Sequence, residues 1–105
     1  MQERRGQMVE ELRKEERARD LLREIERRLR GGDRPDLEEH LTQLDRLAES
    51  WPEWHMPRLL IESAVGAART RDASKSGSDV SRSRSVMEGR ISTLRGSLSR
   101  LDWGR

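Results

Sequence analysis

An all-α fold is what this sequence predicts, on three observations. Good helix formers run for long stretches, apolar residues recur at spacings of 3 and 4, and glycine or proline stands where such runs begin and end. A 105-residue chain is one small domain, able to bury roughly two-thirds of its unfolded surface. Its apolar supply is short: 13 Leu, 3 Ile, 4 Val and no Phe, just under the roughly 20% below which highly charged chains stay disordered. The charges nevertheless balance, 22 Lys and Arg against 20 Asp and Glu for a net of +2. This composition excludes a large single-core enzyme domain, a β-sandwich and a membrane protein, and leaves a helical, charge-mixed and partly flexible chain.

The first helix is expected over residues 3–30. Acid-before-base pairs recur there at i,i+4, as in Glu10 and Lys14 or Glu24 and Arg28, each adding about 0.3 kcal/mol to an exposed helix. Gly31-Gly32 closes it. Only its C-terminal half carries a continuous apolar stripe, so the first two turns are expected to fray or project. A second helix is expected over residues 35–49, with Asp33 as N-cap and Pro35 in the first turn. Its stripe of Leu37, Leu41, Leu44, Ala48 and Trp51, widened by Leu47, is the cleanest amphipathic signal in the chain. The two helices predict an antiparallel hairpin that closes Leu22, Ile25 and Leu29 onto Leu37, Leu41 and Leu44.

Ser50-Trp51-Pro52-Glu53 fits a capping box and marks a break, followed by an aromatic corner in which Trp51 and Trp54 are both expected to be core. Pro57 opens a third short helix, residues 57–69, expected to act as a lid on the hairpin. These elements make residues 1–69 a helical body. Residues 70–85, rich in Ser and Arg with Val80 as their one sizeable apolar residue, are expected to form a flexible basic linker. Met87, Ile91, Leu94, Leu98 and Leu101 then mark a C-terminal amphipathic helix over residues 86–103. It has a coiled-coil-like spacing and, being weakened by Gly89 and Gly96, is expected to need a partner helix.

Chemistry has few candidates. With no Cys, disulfides and thiolate sites are excluded, and the two histidines, His40 and His55, have no metal-ligand spacing. Nucleophile elbows, phosphate loops and dinucleotide fingerprints are absent, and the paired glutamates sit beside arginines. No catalytic residue, metal or cofactor is expected. Without an apolar leader or a span of about 20 apolar residues, the chain is expected to be soluble and intracellular, with no membrane partner.

Binding has more. Arginine outnumbers lysine 20 to 2, a bias that GC-rich coding, an overlapping reading frame as in some viral accessory genes, or phosphate recognition would each produce. Residues 1–54 carry a net −3 and residues 55–105 a net +5, so an acidic body carries a basic tail. Arg23, Arg27, Arg28, Arg30, Arg82, Arg84, Arg90 and Arg95 are the candidate RNA contacts. Ser81 to Ser85, alternating with Arg82 and Arg84, resembles over five residues the Arg-Ser-rich segments of RNA-processing proteins. Ser74 and Ser85 lie three residues after an arginine and are candidate phosphorylation sites.

The expected function is that of a non-enzymatic adaptor or regulatory protein. Two single-stripe helices bury little alone, so Leu22, Ile25, Leu29, Leu37, Leu41, Leu44 and Leu47 are expected to drive self-association, a dimer of hairpins completing a four-helix core. Met87, Ile91, Leu94, Leu98 and Leu101 would dock another protein by helix-in-groove contact. The alternative is an Arg-rich RNA-binding accessory or regulatory protein.

Overall fold

The computed structural model describes residues 2–31, 36–70 and 73–103. They form four helices and no strand: α1 (Gln2–Gly31), α2 (Leu37–Ala48), α3 (Met56–Ala68) and α4 (Ala73–Trp103). At about 1.5 Å rise per residue, α1 and α4 run nearly the whole 51 Å length of a rod 21 Å across. They lie antiparallel, with Ser81 and Arg84 reaching Glu26 near one end and Arg95 reaching Glu16 further along. The much shorter α2 and α3 cover only part of this pair, which divides the rod into a four-helix half and a two-helix stem.

Amphipathic spacing explains the four-helix half. Ala18, Leu22 and Ile25 of α1 meet Leu37, Leu41 and Leu44 of α2, Ile61, Ala64 and Val65 of α3, and Val80, Met87 and Ile91 of α4 in one buried cluster. Leu12, Leu29, Leu47 and Leu60 pack partly buried against it. Full burial of such a side chain stabilises by about 1.5–3 kcal/mol before entropy is counted.

The ends of the short helices are set locally. Asp36 caps α2 without a side-chain bond; the expected Asp33 cap and Pro35 lie outside the described residues. The chain does break at Ser50, but not through a capping box. The Ser50 hydroxyl donates back to the Leu47 carbonyl at 2.6 Å and closes α2, while His55 in extended backbone caps α3, whose Pro57 sits in the first turn. At the other end of α3, the Thr70 and Ser76 hydroxyls both donate to the Ala67 carbonyl, at 2.8 and 2.5 Å. A serine of α4 thereby satisfies the exposed end of α3.

Two expectations are corrected. The segment 70–85, expected as a flexible linker, is helical from Ala73 onward and continuous with the expected helix 86–103; residues 71 and 72 lie outside the described residues. The physical reason is that Ser76, Val80, Ser83, Met87 and Ile91 share one seam at spacings of 4, 3, 4 and 4, and all are buried. Small hydroxyl residues fill positions where Leu would stand in a longer-spaced bundle, so the stripe is invisible to a count of large apolar residues.

The second correction concerns self-association through the hairpin. Leu22, Ile25, Leu37, Leu41 and Leu44 are buried, and Leu29 and Leu47 partly buried, inside a single chain. The two helices that a second hairpin was expected to supply are α3 and α4 of the same molecule. For the same reason α3 is a full bundle member and not a lid.

Candidate interaction surface

Below the α2–α3 corner only α1 and α4 remain. The seam continues along them as Met8, four residues before Leu12, on one helix and as Leu94, Leu98 and Leu101 on the other, at spacings of 3, 4 and 3 counted from Ile91. All five are half-buried, and while Leu12 at the boundary still packs against the core cluster, Met8, Leu94, Leu98 and Leu101 lie outside it. Met8 and Leu101 line an open indentation of about 240 Å³ with Ser97 between Arg4 and Arg100, and Leu94 lines a second of about 370 Å³ with Gly89, Arg90 and Thr93. The first two turns of α1 therefore project, as expected, but as half of a helix pair.

The corner that ends the α2–α3 layer forms a wall beside this stem. Trp51 is buried and its indole Nε1 donates to both oxygens of Glu11, at 2.8 and 3.1 Å, with Lys14 Nζ 4.5 Å above the ring centroid. His55 Nε2 lies 3.6 Å from Glu11 Oε2. Trp54, expected in the core, is instead 75% exposed and meets His55 edge-on at 5.7 Å. Met56 and Leu59, at 47% and 45%, are exposed on the adjoining turn of α3. Trp51 thus faces α1 while Trp54, three residues on, faces solvent.

One turn further along α1, Glu15 is fully buried and accepts from Arg90 Nε at 2.8 Å and Nη2 at 3.4 Å. Burial and the neighbouring Glu11 carboxyl push its pKa up to about 7 despite Arg90. Burial also acts to raise Glu11, but hydrogen bonds from Glu15 and Trp51 and the charges of His55 and Lys14 outweigh it, holding Glu11 below the usual value. Trp51 and its partner Glu11 thus pin the corner to α1 and fix where the covered half ends.

The candidate RNA contacts are largely committed within the chain. Arg27 and Arg28 donate to Glu24 at 2.6 and 2.5 Å, and Arg30 to Glu26 at 3.2 Å. Arg23 pairs with Glu88, Arg84 with Glu26 and Glu88, Arg90 with Glu15, and Arg95 with Glu16. Of the eight, only Arg82 has no ion pair among the described residues. The basic tail and the acidic body are therefore complements within one molecule, with four ion-paired links joining α1 to α4.

Of the expected partner-helix residues, Met87 and Ile91 are core, while Leu94, Leu98 and Leu101 lie on the stem. Ser85 is exposed on α4; nothing is described of the Ser74 side chain. His40 Nδ1 lies 2.9 Å from the Asp36 carbonyl, a local contact at the start of α2. Sequence reasoning missed Met8, Leu12, Trp54, Met56 and Leu59 as surface. The 8-to-12 spacing was available for the first pair, but nothing in the sequence says where α2 and α3 stop covering α1.

Among the described residues, no group of three His, Cys, Asp or Glu could hold a metal ion, and no helix is long and apolar enough to cross a membrane. No protein-family model, curated protein or solved structure matches the chain.

Proposed function

We propose that this protein is a non-enzymatic helical interaction module, an adaptor or regulatory protein that works by presenting its stem and the adjoining corner to another protein surface. One observation carries the reading. Of the large apolar side chains left outside the core, seven gather where the α2–α3 layer ends: half-buried Met8, Leu94, Leu98 and Leu101 on the stem, exposed Trp54, Met56 and Leu59 at the corner; exposed Val86 stands apart on the covered half of α4. Aromatic and Met side chains amid a polar surround are the composition of contact surfaces. The internal pairing of seven of the eight candidate arginines favours this over RNA binding, because the carboxylates beside them repel a phosphate backbone and offset the charge that would attract it.

A site-specific photo-crosslinker tests it. Placed at Ser97 in the stem groove it should form protein adducts, whereas at exposed Arg46 or Arg82 it should form few. Equal yields at all three positions would defeat the reading, as would RNA binding that weakens steeply with salt and requires the α1 arginines.

A further inference from the structure

We infer that the stem is covered by a second copy of this chain, two stems packing antiparallel about a two-fold axis; this rests on the stem being an interaction surface. What is missing there is defined by what is present above it. Over the upper half, the seam between α1 and α4 is closed by a helix pair, α2 and α3, which stops at the Trp51 corner. The seam runs on past Leu12 as Met8, Leu94, Leu98 and Leu101, so the space below the corner has the shape of another antiparallel helix pair with an apolar seam. The stem is itself such a pair. In an isologous arrangement each stem fills the other's vacancy, and one contact satisfies both open seams.

Length and charge agree with this occupant. About 10 residues of α1 and 12 of α4 extend past the corner, roughly 15–18 Å of helix. The groove is as long as the stem that would fill it, so each tip reaches the other copy's corner, where Trp54 stands exposed. The two tip segments, residues 2–7 and 98–103, carry Glu3, Arg4, Arg5, Arg100 and Asp102, a net +1; the corner, residues 49–54, carries Glu49 and Glu53, a net −2. Tip and corner attract in this arrangement, while a parallel one would set tip against tip. The area is modest. Two such faces with Trp54 and Met56 bury on the order of 1,000 Å² in total, the lower edge of specific interfaces and the size class of weak association, which is sought at micromolar concentrations.

Sedimentation of the full chain across that concentration range is the test. The mass should rise from 12.3 kDa towards twice that value. Leu98→Arg should weaken association about 10-fold or more with helical circular dichroism unchanged, since Leu98 lies outside the core cluster. Because the chain has no cysteine, a single Ser97→Cys, near the expected axis, should oxidise to a linked dimer, and Arg82→Cys on the covered half should not. A chain that stays monomeric at every concentration, or a dimer that links through Arg82→Cys and not through Ser97→Cys, overturns the inference. Monomer together with protein adducts at Ser97 would refute the second copy alone; monomer without adducts would refute the interaction reading as well.

Discussion

The two halves of this rod are built from the same two helices and the same 3-and-4 spacing, yet Met87 and Ile91 are fully buried while Leu94, Leu98 and Leu101 are half-open. The difference lies in their neighbours. In the upper half α2 and α3 close the seam and three links from arginines to glutamates brace its flanks, with a fourth, Arg95 to Glu16, reaching up from the stem. In the stem each apolar side chain has one helix to lean on. Amphipathic spacing thus specifies a face, and the length of the short helices decides how much of that face becomes core and how much becomes surface.

The sharpest way to break this comparison is to truncate matched residues on either side of the boundary. Ile91→Ala removes a fully buried side chain and should cost about 2–5 kcal/mol. Leu98→Ala, two turns on, should cost under about 1 kcal/mol in the monomer. Urea denaturation followed by circular dichroism at low micromolar concentration reads both, and equal costs would mean that the stem is as well packed as the bundle.

Glu15 sits at the boundary and gives the division a pH signature. Its folded pKa of about 7 stands above the ordinary 4.5, so the folded chain holds this proton more tightly than the unfolded chain does. Stability should therefore fall as pH rises from about 4.5 to 7 and stay lower above that. Glu11, shifted the other way, acts below this window. Glu15→Gln keeps the shape without the charge and should flatten the slope, leaving the variant more stable than the parent at pH 8. A parent whose urea midpoint is level between pH 5 and pH 8 would contradict the buried placement.

Much of this was legible in the sequence. Helix-forming runs, the break at Ser50, the start at Pro57 and the Leu37-to-Ala48 stripe all depend on local chemistry, and local chemistry is written in order along the chain. Residues 73–85 were misread because their core positions are Ser76, Val80 and Ser83, whose burial comes from close helix approach and from a hydroxyl bond to the Ala67 carbonyl. Charge misled in a similar way. A net −3 half and a net +5 half looked like a body with a polyanion-binding tail, whereas antiparallel packing sets Glu15, Glu16 and Glu26 against Arg90, Arg95 and Arg84. Which acid meets which base depends on how the chain folds back, and no spacing in the sequence states that.

The smallest expected effect sharpens the picture of the stem. Gly96 is exposed on α4, two residues from both Leu94 and Leu98 and so about 200° round the helix from each. A methyl group there would meet nothing within 4 Å. Glycine inside a helix costs about 0.5–1 kcal/mol relative to alanine through the freedom it loses on folding, so Gly96→Ala should stabilise by that amount. Because the stem has few tertiary contacts, the gain should appear locally, as slower amide exchange in residues 92–103. Because the substituted face points away from the Leu94–Leu98 seam, the association constant should not fall. A variant that loses association while gaining helix stability would place the contact on the opposite side of α4.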